Sequence, residues 1–311
     1  MSNFKPSIQE LVRVEDRIGF LYLEFAALTR HGGSLNVKRR TGNIHIPLAQ
    51  IGCLWLGPSV TLTHQAMELI SECRTTVMWT GDEGLAFYAH GSPLTGSSRL
   101  LTAQAVIHVD PAKRLECAKA MYCMRFGEDT PSRTDSIARF RGAEGARVKK
   151  IYKLYSDKYK VAWNGRMYAP GSIEKSDTIN QALTVAHHCM YAVSSGVIHG
   201  LGLHPGLSVV HNGTQDSFVY DVADLYKTEI CVPIAFRVAR NHPDVTGRKL
   251  SSIIRAEMRA ELTASRIVPR AVKDIYDLLL GEEVRGEYST SDHLWDSGGG
   301  VGSGINYGDV F

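Results

Sequence analysis

The chain has 311 residues, 44% of them apolar and 22% charged, with a formal net charge of +3. This length predicts two domains and a sizeable core, and the composition excludes collagenous, disordered and coiled-coil classes. No apolar run approaches the roughly 20 residues that span a bilayer. The amino terminus lacks the apolar stretch of a signal peptide. The six cysteines form no Cys-x-x-Cys pair that would point to a zinc ribbon or a disulfide framework. The expectation is a cytoplasmic protein with no membrane segment.

The first ninety residues read as short strands between glycine turns. Strands are predicted at Ile18–Phe25, Leu28–Arg30, Ser34–Lys38, Ile44–Pro47, Gly52–Leu56, Thr76–Trp79 and Leu85–Ala89, with one helix from Thr63 to Cys73. Such a series predicts an antiparallel sheet or sandwich. His90 to Ser98 is a cluster of breakers, and the grammar changes after it. Helical apolar spacing predicts helices over 99–108, 111–127, 132–157, 176–199, 217–229, 231–241, 247–263 and 267–280. The expected class is α+β: a small N-terminal antiparallel β-sheet or sandwich domain (1–94), a larger all-α domain (95–284) and a flexible glycine-rich tail (285–311). Ile305, Tyr307, Val310 and Phe311 in that tail suit addition of a strand to a partner's sheet edge.

The net charge averages unlike parts. Residues 282–311 hold one base and six acids, so residues 1–281 carry 34 bases against 26 acids, a balance of +8. Residues 133–166 alone hold ten bases and three acids. Such a block is the footprint of a phosphate-backbone binder, and equally the composition of a solvated helix face.

Within the helix predicted over 132–157, the apolar stripe Ile137, Phe140, Val148, Ile151, Tyr155 has one gap, filled by Glu144. A carboxylate on a core-facing stripe must be paired or metal-bound, so a structural ion pair with a nearby arginine and a ligand role are both open. Gly142 and Gly145 flank it, weakening the helix by roughly 1 kcal/mol each while leaving room for another chain or a DNA backbone. A second anomaly follows His211-Asn212-Gly213, a turn signature. Asp221 and Asp224 lie three apart on one edge of the next helix, with Lys227 beyond. First-turn acids favoured by the helix dipole are the plain alternative. Were Glu144 to meet this group, carboxylates with one imidazole would suit Mg²⁺ or Mn²⁺ and hence phosphoryl chemistry.

Other signals are weaker. His187-His188-Cys189 reads as packing, because adjacent helical residues cannot easily face one metal. Gly200 to Gly206 lacks the preceding strand of a dinucleotide loop. Trp163-Asn-Gly-Arg166-Met-Tyr168 is either a loop with a buried tryptophan or a cation and aromatic set beside a splayed nucleotide.

Arg141-Gly-Ala-Glu144-Gly-Ala-Arg147, Trp163 to Tyr168, Asp177-Thr-Ile-Asn-Gln181, His211, Phe218 to Asp224 and Val232 to Arg237 together resemble the CRISPR-associated integrase of the spacer-adaptation module, more closely its type I-E branch. The resemblance covers roughly residues 130–245. It implies Glu144, His211 and Asp224 as ligands of Mg²⁺ or Mn²⁺, with Asp221 an accessory catalytic acid. It places Tyr168, Asn180 and Tyr191 beside the site, and Arg141, Lys149, Arg166, Arg248 and Lys249 are expected to contact DNA phosphates. The implied reaction is transesterification, in which a spacer DNA 3′-hydroxyl attacks the CRISPR repeat, with nuclease activity at the same site. The implied partners are double-stranded DNA (prespacer and repeat), a second copy of the chain joined through the β-rich domain, and a small ferredoxin-like companion. The readings set against this are a non-catalytic DNA scaffold and a stand-alone nuclease for branched DNA.

Overall fold

Short strands, the central ones buried over consecutive residues, build two sheets at the N-terminal end. The computed structural model describes residues 21–80, 87–91, 98–126, 136–167 and 176–281, and the backbone of 293–296 and 299–302. One sheet has the order β1 (Leu21–Leu23), β5 (Cys53–Leu56), β7 (Thr76–Thr80), β8 (Phe87–Gly91). The other runs β4 (Gly42–Pro47), β3 (Ser34–Arg39), β2 (Ala27–His31), β6 (Thr61–Leu62). Helix α1 (His64–Glu72) starts where Thr63 Oγ1 accepts from Ala66 N at 3.3 Å. It closes a core of Leu28, Leu35, Val37, Leu54, Leu69, Ile70 and Val77 between the sheets.

The class is the α+β one read from the sequence, but the pairing is mixed rather than purely antiparallel. β1 and β7 both run parallel to β5, and β6 runs parallel to β2. The cause is the crossover through α1 between β5 and β7, since parallel neighbours need a connection longer than a hairpin.

The helices are α2 (Arg99–Val109), α3 (Pro111–Phe126), α4 (Ile137–Tyr159), α5 (Thr178–Gly200), α6 (Ser217–Asp224), α7 (Lys227–Asn241), α8 (Gly247–Ala264) and α9 (Ile267–Leu280). α5 contains no Asp, Glu, Lys or Arg, and 17 of its 23 residues are buried, as expected of a helix apolar all round. It packs against α6, α7, α8, α9 and β7. Gly196 allows its close approach to β5, because a Cβ there would lie 3.3 Å from Cys53 Sγ. Cys53, Trp55 and Met78 thereby join the helical core, so sheet and helices share one interior. Tyr122 and Phe126 of α3 pack tilted against Phe140 of α4 at centroid distances of 5.9 and 6.4 Å. This cluster holds the last turn of α3 against the first turns of α4.

Two predicted helices end elsewhere. α4 begins five residues later than expected, where Ser136 Oγ accepts from Arg139 N. The helix predicted over 217–229 stops at Asp224, and α7 starts afresh at Lys227. Tyr226 explains the break: its side chain turns into the core at 1% exposure, and its hydroxyl donates to Asp274 Oδ2 at 2.8 Å. Within the tail read as flexible, β9 (His293–Asp296) and β10 (Gly299–Gly302) pair antiparallel. Ile305, Tyr307, Val310 and Phe311 lie outside the described residues. All six cysteines are free, and no described helix is long and apolar enough to cross a membrane.

Candidate active site

His211 sits on the loop before α6, and Asp221 holds it there. The Asp221 side chain is fully buried. Its Oδ2 accepts from Val209 N at 2.6 Å and Val210 N at 3.0 Å, and its Oδ1 from His211 N at 2.9 Å and His211 Nδ1 at 2.7 Å. Four donors use both oxygens, which a carboxylate can do and an amide cannot. The anionic acceptor places the ring proton on Nδ1 and leaves Nε2 free to face outward. That hydrogen bond raises the His211 pKa above its usual 6.5, against partial desolvation, with the charges of Asp221 and Asp224 adding to it.

His211 Nε2 faces Asp224 Oδ2 at 3.8 Å. Asp224 ends α6, and its Oδ1 pairs with Lys227 Nζ at 2.5 Å. Lys227 also donates to Tyr191 OH at 2.8 Å. Burial alone would lower the Lys227 pKa, but Asp224 and Tyr191 outweigh it and leave it raised. Glu144 comes from α4 and is held in a fork by Arg147, with Nε–Oε2 at 2.9 Å and Nη2–Oε1 at 3.2 Å. Between the two acids lies Arg125, from the last turn of α3. Its Nη1 is 3.7 Å from Glu144 Oε1 and 3.7 Å from Asp224 Oδ2. Glu144 is thus paired to an arginine, the structural reading of its place on the stripe, and Arg125 links it to Asp224 of the second group of acids.

A cleft of about 540 Å³ opens beside this cluster, lined among others by Arg166, Thr184, His187, His188, Tyr191, His211, Tyr220 and Lys227. Arg166 reaches it from the loop after α4, donating to Asn180 Oδ1 at 3.0 Å and Thr184 Oγ1 at 2.8 Å. Asn180 is buried, and it braces that loop through Met167 N at 2.9 Å and Gly165 O at 3.2 Å. It supports Arg166 rather than facing the acids. Trp163 stacks on Tyr152 at 4.5 Å. Tyr168 lies outside the described residues. Arg141 and Lys149 are exposed on α4, and Arg248 and Lys249 on the first turn of α8.

Sequence reasoning missed Arg125 and the part played by His187 and His188. Both histidines line the cleft instead of serving only as packing, and His187 Nε2 is buried without a hydrogen-bond partner among the described residues. Burial, followed by the charges of Lys227 and Arg166, holds His187 well below its ordinary pKa. The available signal was α5 itself: imidazoles on a helix with no other ionisable side chain except tyrosine and cysteine.

Glu144, Asp224 and His211 supply hard oxygens and one imidazole, a donor set that suits Mg²⁺ or Mn²⁺. As they stand, no three such side chains among the described residues are close enough to hold an ion. Between the two carboxylates stands Arg125 Nη1, 3.7 Å from each. In donor chemistry, though not in their present spacing, the residues suit such an ion.

Fold and site define a class: an α+β protein whose helical part gathers two carboxylates and an imidazole among arginines and a lysine, beside a polar cleft. The family model for CRISPR associated protein Cas1 matches residues 21–126. The chain is 39% identical over 297 residues to a CRISPR-associated endonuclease Cas1 of Clostridium sp. (strain SY8519), covering 95% of this chain and 97% of that protein. It is 34% identical over 275 residues to the CRISPR-associated endonuclease Cas1 of Escherichia coli (strain K12), covering 88% of each. A crystal structure of a TtCas1–DNA complex matches it with a TM-score of 0.80 at 33% identity, covering 92% of this chain and 100% of that one. The chain belongs to the Cas1 family.

Proposed function

We propose that this chain is a divalent-metal-dependent DNA integrase and endonuclease of CRISPR adaptation, joining 3′-hydroxyl ends of captured double-stranded DNA to the CRISPR repeat. The observation that carries the reading is the convergence of Glu144 and Asp224, from separate helices, on Arg125 Nη1, with His211 Nε2 3.8 Å from Asp224 Oδ2. The endonuclease names of its relatives and the DNA complex of TtCas1 support it.

In the reaction, the incoming 3′-oxygen bonds to a repeat phosphorus and loses its proton, while the bond from that phosphorus to the repeat 3′-oxygen breaks and that oxygen gains a proton. One phosphodiester replaces another, so no further reactant is required. Glu144 Oε1, Asp224 Oδ2 and His211 Nε2 would hold Mg²⁺ or Mn²⁺, which when bound polarises a phosphoryl oxygen and favours the deprotonated nucleophile. Asp221 keeps His211 in the tautomer and direction that this role needs. Lys227 and Arg147 offset the charge that develops at phosphorus. Arg166 and the exposed bases Arg141, Lys149, Arg248 and Lys249 hold the backbone of the duplex, with Tyr191 and the Asn180-braced loop beside it. The reading extends to a homodimer joined through the β-rich part and to a small ferredoxin-like companion, in the cytoplasm.

The test is strand transfer of a 3′-hydroxyl duplex into a repeat-containing plasmid with Mn²⁺. Glu144→Ala and His211→Ala should each lower it by on the order of a hundredfold or more. Normal activity in both variants would remove these residues from the chemistry.

A further inference from the structure

We infer that Arg125 is a positioning residue that substitutes for the divalent cation: it holds Glu144 and Asp224 together in the metal-free protein and yields them when the ion binds. The inference rests on the metal reading above.

The contacts of Arg125 are unlike those of a structural arginine. Its side chain is 4% exposed, yet its two ion pairs are both long, at 3.7 Å. Its Nε and Nη2 are buried and find no acceptor among the described residues. A buried guanidinium is normally stabilised by short forked pairs, such as the one Arg147 makes with the same Glu144 at 2.9 and 3.2 Å. Arg125 instead points one nitrogen at two carboxylates carried by different helices. The oxygens it shares are Glu144 Oε1 and Asp224 Oδ2, and the second of these also faces His211 Nε2. Without a cation at that point, the two acids would repel each other across a largely buried gap.

The framework around Arg125 suits a residue that must stay near while its partners change. The Tyr122–Phe126–Phe140 cluster anchors the helix turn that carries it. Its guanidinium carbon lies 5.2 Å from the Tyr122 ring centroid, a resting face that does not depend on the acids. A bound Mn²⁺ supplies the acids with a stronger counter-charge and leaves Arg125 as a like charge beside it. Arg125 therefore stabilises the empty site and opposes the filled one, and removing it must strengthen ion binding by at least the amount that it weakens the empty site.

Calorimetric Mn²⁺ titration and thermal melts of the full chain test this, using Arg125→Gln. Mn²⁺ should bind at least about fivefold more tightly than to wild type. The Tm should fall several degrees without Mn²⁺ and by less at saturating Mn²⁺. Equal or weaker Mn²⁺ binding, or equal Tm losses with and without the ion, would overturn the inference. Should Arg125→Gln fail to fold, the double variant Arg125→Gln/Glu144→Gln, which removes the acid–acid repulsion, should recover a cooperative melt; if it does not, Arg125 acts only through packing. A wild-type chain that binds no Mn²⁺ overturns the metal reading and the exchange with it. The metal-free Tm cycle of the two single variants and the double variant then decides separately whether Arg125 holds the acids together.

Discussion

Asp221 fixes the direction of the His211 ring. Both of its oxygens are occupied by donors from the 209–211 loop, and one of those donors is the His211 ring. An asparagine there would turn an N–H toward either the Val209 and Val210 amides or the imidazole, so one set of bonds becomes a clash of donors. Asp221→Asn should therefore lower strand transfer and Mn²⁺ affinity by roughly 10- to 100-fold while the circular dichroism spectrum is kept; wild-type Mn²⁺ affinity in this variant would show that His211 needs no support. The acids were legible in the sequence because each was out of place: Glu144 fills a gap in an apolar stripe, and Asp221 and Asp224 share a helix edge after a histidine turn. Their counter-charges were only partly legible. Lys227 and Arg147 stand three residues from their partners. Arg125 is brought to Glu144 by an aromatic cluster between two helices, a contact that no spacing in the chain records.

At the scale of elements, α5 organises the molecule. Its span lay within two residues of the predicted 176–199, and it starts where Asp177 Oδ1 accepts from Asn180 N at 2.8 Å. Strand direction was not readable, because an apolar run such as Cys53–Leu56 looks the same whether its neighbour runs parallel or antiparallel. The crossover through α1 decided it. The break after Asp224 was also hidden, since burial of Tyr226 overrode a helical pattern that continued through it. β8 meets α5 through the stacked rings of His90 and His199, 3.6 Å apart. Burial, then the proximity of His90 and His204, pushes His199 down to about 3. Between that value and the ordinary 6.5, the unfolded chain takes up a proton that the folded chain refuses. Stability is thus complete above pH 6.5 and falls as pH drops, by up to about 1.4 kcal/mol per unit for this ring. His199→Phe keeps the stack and removes the titration, so urea unfolding at pH 7 and pH 5.5 should show a smaller loss than wild type. Parallel losses would assign the acid sensitivity to other groups, His187 and His188 first.

Over the whole molecule, a net charge of +3 conceals two arrangements that matter more than the sum. On α4, Arg141, Lys149, Lys150 and Lys153 face solvent, whereas Arg147 turns inward to Glu144. One helix thus carries a basic outer face and delivers a carboxylate to the cluster behind it. The shared core of sheet and helices brings Met78 and Thr80 of β7 to the wall of the same cleft, so the N-terminal part shapes the site as well as flanking it. If Glu144, Asp224 and His211 form one cation site, with Arg125 in the cation's place until it arrives, anomalous diffraction from crystals of the full chain soaked in Mn²⁺ should show it directly. A single strong peak is expected within coordination distance of Glu144 Oε1, Asp224 Oδ2 and His211 Nε2, with the Arg125 guanidinium further from both acids than in the ion-free protein. A peak bound by other residues, or saturating Mn²⁺ that leaves Arg125 between the two carboxylates with no peak beside them, would contradict it.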